Sequence, residues 1–256
     1  MGTMIEERAM GAMIVTGAGR GIGAAIARRA GEAGWSVAVN YSRAKEKAEA
    51  VADAIRAKGG KAIAVKADVG VESDIVAMFK RVDDELGPAT ALVNNAGIDY
   101  ECLIGDIEVA GINRVFGVNV IGLMICAREA VRRMSTARGG KGGVIVNIGS
   151  ISARTGGLPK DGVYTASKGA VDSFTQALST EVAREGVRVC CIRPGLIHTE
   201  IFDTNLGLEQ VKEMAKRTVP MGRIGRPEEI ANMAVWLCSA EASYVTGYAI
   251  DVSGGR

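Results

Sequence analysis

AMIVTGAGRGIGAAIARRAGEAGWSVAVN, running from Ala12 to Asn40, decides the fold. Ala12 to Thr16 is a short apolar run closed at once by glycine, which predicts a buried strand. Gly17, Gly21 and Gly23 punctuate the loop that follows. Gly21 to Gly31 is alanine-rich and predicts a helix, and Val37 to Asn40 predicts the next strand. Strand, glycine loop, helix and strand make one βαβ unit. The glycines permit a tight turn and let the backbone approach a pyrophosphate lying over the helix N-terminus. Three residues separate Gly17 from Gly21, a looser spacing than G-x-G-x-x-G.

The same alternation continues along the chain. Arg43 to Lys58 is a charged amphipathic helix ended by Gly59-Gly60, Ala62 to Lys66 a strand, and Ser73 to Leu86 a helix with Ser73 as its N-cap. Thr90 to Asn94 is the fourth strand, Val109 to Met134 one long helix, and Val144 to Ile148 the fifth strand. Val163 to Arg184 is a helix and Val187 to Ile192 a strand closed by Pro194-Gly195. A small helix at 207–217, a last helix from Pro227 to Cys238 and a seventh strand from Tyr248 to Val252 complete the reading. Strands that are apolar throughout predict a parallel sheet covered on both faces, hence an α/β, doubly wound Rossmann-type architecture. No linker or composition shift divides the chain, so one domain is expected over 11–256, behind a solvated extension at 1–10.

Composition narrows the function. The chain has 256 residues, 48% of them hydrophobic, enough for a sizeable core. A net charge of +2 without Lys/Arg clusters among aromatics argues against nucleic acid as a partner. No apolar run is read as long enough to span a bilayer, the acids Glu6 and Glu7 spoil a secretory signal, and Glu6 stands where myristoylation wants Ser or Thr. Five cysteines without a C-x-x-C spacing, with Cys190 and Cys191 on opposite faces of a strand, predict reduced thiols and a cytoplasmic protein. His198 is the sole histidine, so no His-rich metal site is expected. It is read as an exposed loop residue, with a substrate contact as the alternative.

Chemistry concentrates in VIVNIGSISARTGGLPKDGVYTASKGAVDS, Val144 to Ser173. The strand delivers Ser150 at its carboxyl end, and a Gly- and Pro-containing loop leads to a helix bearing Tyr164 and Lys168 on one face. A free tyrosine titrates near ~10. A neighbouring ammonium favours phenolate and is expected to lower that value. A serine hydroxyl facing the phenol can hold a carbonyl or alcohol oxygen. Asn94-Asn95-Ala96-Gly97 ends strand four, where open α/β sheets bind ligand, and Asp68 at the end of strand three either accepts from an adenine amino group or merely starts a loop.

Thr16-Gly17-x-x-x-Gly21-x-Gly23, Asn94-Asn95-Ala96-Gly97, Asn119, Ser150, Tyr164-x-x-x-Lys168 and Pro194-Gly195 together resemble the ordered motif set of the short-chain dehydrogenase/reductase family, over about Ala12 to Gly255. The resemblance implies a single Rossmann-type domain with seven parallel strands, and hydride transfer between a nicotinamide and a carbonyl–alcohol pair. It implies Tyr164 as general acid in reduction and base in oxidation, with Lys168 lowering its pKa and binding the nicotinamide ribose. Ser150 would orient the substrate oxygen, and Asn119 would help hold a water in the proton relay. The implied cofactor surface comprises Gly17, Arg20, Gly21, Ile22, Gly23, Asn40, Tyr41, Ser42, Arg43, Asp68, Val69, Asn95, Ala96, Gly97, Pro194, Gly195 and Ile197, with Thr199 meeting the carboxamide. Thirteen residues separate Ser150 from Tyr164 where the family usually has twelve; the strand end selects Ser150, with Ser152 as the fallback.

Strand two ends in Asn40-Tyr41-Ser42-Arg43 without the carboxylate that would bind ribose hydroxyls and repel a 2′-phosphate. Arg20 and Arg43 suit that phosphate, so NADP(H) is expected ahead of NAD(H). The segment Met221 to Gly255 resembles the ends of bacterial 3-oxoacyl-carrier-protein reductases and glucose 1-dehydrogenases alike. A 3-oxoacyl thioester or small ketone is therefore the expected substrate, with sugar oxidation next and a non-catalytic nucleotide sensor as the rival class. An acyl carrier protein could meet Arg132, Arg133 and Arg184, although ordinary helix charges explain them better. The loop Thr199 to Arg217, expected over the substrate, is mixed, with Ile201, Phe202, Leu206 and Leu208 beside Glu200, Asp203 and Glu209. The resemblance also implies a homotetramer using the last helix and strand, where Val235, Trp236, Leu237, Tyr244 and Val245 are apolar.

Overall fold

The computed structural model describes residues 10–199 and 207–256. Glu200, Ile201, Phe202, Asp203 and Leu206, expected in the substrate loop, and residues 1–9 of the extension lie outside the described residues. The strands are β1 Ala12–Val15, β2 Ser36–Tyr41, β3 Ala62–Lys66, β4 Ala89–Asn94, β5 Gly143–Ile148, β6 Val187–Pro194 and β7 Ala249–Val252. The helices are α1 Gly21–Glu32, α2 Lys45–Arg56, α3 Glu72–Leu86, α4 Val109–Met134, α5 Ser152–Thr155, α6 Gly162–Val182, α7 Leu208–Thr218 and α8 Pro227–Leu237. All seven strands form one parallel sheet in the order β3-β2-β1-β4-β5-β6-β7, as the apolar strand pattern predicts.

Helices cover both faces because both faces of the central strands are apolar; every residue of β1 is buried. On one face α1, α2 and α8 pack over Met13, Val15, Val37 and Val39. Small residues let them approach: a Cβ on Gly31 would lie 2.6 Å from Cγ2 of Ile55. On the other face Ile75, Met78, Phe79 and Val82, at helical spacing on α3, are buried with Cys126, Ala127 and Ala130 of α4. Each such large side chain contributes roughly 1.5–3 kcal/mol of transfer free energy. Cys190 and Cys191 do fall on opposite faces, Cys190 in the α1–α8 cluster and Cys191 against Leu123 and Val171.

Four local expectations change. Residues 43–44 stay out of α2, which starts at Lys45, so Arg43 sits on the loop above the sheet. Helix α3 begins a residue before Ser73, and Val71 takes the N-cap position with no side-chain cap; the acids Glu72 and Asp74 occupy the first turn. The loop beyond Ser150 contains the single turn α5. The long helix α4 is continuous but widens into a π-helical turn over Gly117–Gly122, bracketed by two weak helix formers. That helix is also long and apolar enough to cross a bilayer by length and composition, contrary to the reading that no run qualifies. Here it packs along the sheet through Cys126, Ala127, Ala130 and Met134.

Strand order reverses between β1 and β4, so the chain leaves these neighbours toward opposite faces and opens a crevice at their carboxyl ends. Helix α8, which covers one face of the sheet, is fixed at its N-terminus. Its Glu229 accepts from the Arg226 N–H at 2.7 Å and pairs with Arg223 at 2.7 and 2.9 Å. Arg223 first, and the Arg226 N–H next, hold that carboxyl down at about 2. A value depressed in the fold gives stability that is complete above the ordinary 4.5 and is lost as pH falls toward about 2. Glu229→Ala should therefore cost about 1 kcal/mol at neutral pH and converge on wild type in acid, as read by thermal melts across that window.

Candidate active site

The carboxyl ends of β1, β2, β4, β5 and β6 line a cleft of about 990 Å³. At its floor Gly17 and Gly21 adopt left-handed φ values of 62° and 53°. A Cβ on Gly23 would stand 2.5 Å from the Gly17 carbonyl and from Asn95 Nδ2, so the loop closes only with glycine there. Helix α1 starts from Arg20 without a side-chain cap and has no acid in its first turn. Its unpaired N–H groups and positive dipole end thus belong to the cleft, and this fits a pyrophosphate.

The loop is braced from below. Asn95 N–H and Ala96 N–H both donate to the Thr16 hydroxyl at 3.0 Å, and Asn95 Nδ2 donates to the Thr16 and Gly17 carbonyls at 2.9 and 3.2 Å. Asn40 is 1% exposed; its carbonyl accepts from Gly17 N–H at 3.0 Å, and its amide donates to Ala67 and Val65 carbonyls at 3.0 and 3.3 Å. Its side chain is therefore a strut beneath the glycine loop, and Asn40 also lines the cleft. Arg20, Tyr41, Ser42 and Arg43 line the cleft around the glycine loop and the end of β2. Lys47 joins them, a residue missed in the sequence although it stands one helical turn beyond Arg43. Asp68 lies beyond the end of β3, its carboxylate accepting from Gly70 N–H at 2.8 Å, and it lines the cleft with Val69.

Ser150, Tyr164 and Lys168 meet at the other end, with Gly97, Pro194, Gly195, Ile197 and Thr199 around them. Ser150 Oγ accepts from the Ser152 N–H at 3.1 Å and from the Ser152 hydroxyl at 2.9 Å. Ser152 is buried with its proton committed to Ser150, so of the two serines Ser150 is the one that influences the phenol. The extra residue in the intervening loop is absorbed by α5, by left-handed Gly156 and Gly157, and by Lys160 at φ 77°. Asn119 is held in the π turn: Oδ1 accepts from Ile98 N–H at 2.8 Å while Nδ2 donates to Ile98 carbonyl at 2.9 Å and Ser167 Oγ at 3.0 Å.

Lys168 is 4% exposed and donates to the Ile148 carbonyl at 2.8 Å. Burial pulls it down to about 8, against Cys191 and Asp172. A Cβ on Gly97 would sit 3.6 Å from its Nζ, an ordinary contact distance that places Gly97 beside the ammonium. Tyr164 departs from expectation. Burial pushes it up to about 12; the Ser150 hydroxyl opposes this, and the charges of Asp99 and Asp161 add to it. The ammonium lies 5.6 Å from the ring centroid and donates one of its three protons to the Ile148 carbonyl, and burial is the larger influence on the phenol. Asp99 is exposed and Asp161 half-buried; desolvation raises both carboxyls, both line the cleft, and neither carried a motif to reveal it. His198 is exposed, and its backbone N–H donates to Gly225 carbonyl at 2.9 Å. Arg133 pairs with Asp83 and Glu129 at 2.8 and 3.0 Å and Arg132 with Glu129 at 2.7 Å, so both are ordinary helix charges.

A family model described as enoyl-(acyl carrier protein) reductase matches residues 17–256. The uncharacterized oxidoreductase YgfF of Escherichia coli K12 is 45% identical over 248 residues, 96% of this chain and 100% of that protein. The 3-oxoacyl-[acyl-carrier-protein] reductase FabG of Staphylococcus aureus is 36% identical, over 94% of this chain and 96% of FabG. Among solved structures, a short-chain dehydrogenase/reductase from Serratia marcescens superposes with a TM-score of 0.89 at 31% identity, over 96% of this chain and 98% of that one. A short-chain dehydrogenase from Burkholderia cenocepacia in complex with NADP gives 0.88 at 30% identity, over 97% and 98%.

The Thr16 hydroxyl satisfies two N–H donors that valine cannot, while valine keeps its shape. Thr16→Val should lower unfolding free energy by about 2 kcal/mol, measured by denaturant titration.

Proposed function

The chain belongs to the short-chain dehydrogenase/reductase family and is an NAD(P)-dependent oxidoreductase, and from that premise we propose an NADP(H)-preferring carbonyl reductase acting on a 3-oxoacyl thioester or small ketone. The observation that carries this reading is the meeting of Ser150, Tyr164 and Lys168 in a cleft whose other end presents Arg20, Arg43 and Lys47 and no carboxylate at the end of β2. In this proposal the pyrophosphate lies over the N-terminus of α1 and the three cations meet a 2′-phosphate. NAD(H) binds the same glycine loop and loses only the phosphate contacts.

When bound, the nicotinamide supplies the hydride. The protein supplies the rest. Ser150 Oγ holds the substrate oxygen, and Tyr164 Oη, protonated throughout the neutral range, donates the proton that turns the developing alkoxide into alcohol. Lys168 fixes the ribose and places a positive charge beside the phenol, and Asn119 holds Ile98 and the π turn at the site's wall. The charge on Lys168 is lost as pH rises through about 8. Reduction is therefore expected to decline on the alkaline side, and a steady-state pH profile reads that limb.

FabG is by name an acyl-carrier-protein reductase, which supports the thioester substrate and a carrier protein as donor. Sugar oxidation is the second reading, favoured by Asp99 and Asp161, which can accept hydrogen bonds from a polyol. A sensor without turnover has no use for an acid–base tyrosine. A single catalytic domain and a homotetramer belong to the same proposal. Exposed Trp236, Tyr244 and Tyr248 support the latter, whereas Val235 and Leu237 are core.

The test is NADPH oxidation with an acetoacetyl thioester. Wild type should turn over, and Tyr164→Phe should lose roughly 10²–10⁴-fold in kcat while still binding NADPH. Absence of turnover in wild type that binds NADPH overturns the thioester assignment and sends the assay to sugar alcohols. On the same protein Arg43→Ala should raise KM for NADPH about tenfold and leave KM for NADH nearly unchanged.

A further inference from the structure

Lys168 is followed one helical turn later on α6 by a second buried charge, Asp172, 9% exposed. Nothing in the proposed chemistry uses it. Its Oδ1 accepts from Cys191 Sγ at 3.3 Å and its Oδ2 from Arg193 Nε at 2.8 Å. Cys191 and Arg193 alternate on β6 and so present the same face to α6. Arg193 reaches on to Asp251 of β7 at 3.3 Å, and Asp251 takes Arg154 of α5 at 3.0 Å. Arg154 donates to the carbonyl of Arg256, a residue on the cleft wall, at 2.7 Å. An alternating chain of charges thus runs from behind the Lys168 ammonium, across β6 and β7, to the helix that follows Ser150.

We propose that Asp172, oriented by Arg193, is a positioning residue that keeps Lys168 charged and directed at the Ile148 carbonyl; this rests on the role given to Lys168 above.

Among the described residues, the groups facing Lys168 leave Asp172 as the counter-charge. From β5 comes the neutral Ile148 carbonyl, from the loop after β4 the backbone of Gly97, and from its own helix the Tyr164 phenol, un-ionised at neutral pH. From β6 comes Cys191, whose thiol burial pushes far above its ordinary range, so it too is neutral. A buried ammonium with one anion nearby depends on that anion for its protonation. Arg193 remains paired with Asp251 when Asp172 loses its charge, which lets the fold survive Asp172→Asn.

The two members of the pair have opposite electrostatic effects on the lysine, and this separates tuning from simple clamping. Asp172→Asn removes an anion and should lower the Lys168 titration midpoint by about one pH unit. Arg193→Met removes a cation, leaves the aspartate charge, and should hold or raise that midpoint. Heteronuclear NMR titration of the lysine ε-carbons reads it directly, with Lys168 assigned by loss of its signal in Lys168→Arg. The alkaline limb of kcat/KM should move with the midpoint in each variant. A midpoint unmoved by Asp172→Asn, or midpoints that fall together in both variants, overturn the proposal. Lys168→Arg with unimpaired turnover would instead overturn the role given to Lys168, while the NMR midpoints still decide whether Asp172 sets its charge.

Discussion

Two backbone N–H groups, at Asn95 and Ala96, converge on one hydroxyl, that of Thr16. The rest of the site depends on this joint. It ties the ends of β1 and β4 at the place where strand order reverses, so the chain can leave in opposite directions without the sheet splaying. Asn95 and Asn40 complete it by filling the hydrogen-bonding capacity of the glycine loop from either side. A buried loop backbone without such partners would carry a penalty of order 1–3 kcal/mol for each unmet group. With them the loop is rigid, and the N-terminus of α1 is left as the unpaired element facing the cleft.

Much of this was legible in the sequence because period and punctuation act locally. Apolar runs of strand length between amphipathic helices gave the sheet, and glycine at Gly17, Gly21 and Gly23 marked the turn. The Tyr164–Lys168 spacing placed two side chains on one face without any structure. Features that failed were those set by tertiary contact. Asn40 marks a strand end in the sequence, but its bracing bonds with Gly17, Val65 and Ala67 could not be read there. Ser73 has the right chemistry for a cap, but α3 starts before it. Asp99 and Asp161 belong to loops, where no periodicity reports what a side chain faces. Lys47 was hidden in a charged helix whose other charges are solvated.

The electrostatics of the catalytic end follow the same division. Placing tyrosine and lysine together predicts attraction between ammonium and phenolate, and in the fold the larger effect is desolvation of both. Each is driven toward its neutral form, the phenol upward and the ammonium downward. In the reduction proposed above this is a useful state, since the phenol begins with the proton it would deliver. The lysine is the vulnerable member: burial is the largest influence on its charge, and Cys191 and Asp172 oppose it.

The Thr16 joint also bears on how the molecule comes into being. Its halves are 79 positions apart in the chain, and the ring they close takes in α1, β2, α2, β3, α3 and β4. A nascent chain therefore displays the nucleotide-binding loop well before β4 exists to lock it. Until then the glycine turn has only Asn40 to hold it, and its three glycines carry their full backbone freedom. Closing so long a loop has a substantial entropic cost and places the joint among the late, slow contacts of folding. Order of synthesis thus separates recognition of the dinucleotide from assembly of the catalytic end, and α6, with Tyr164 and Lys168, can dock only on a sheet that has already reached β5.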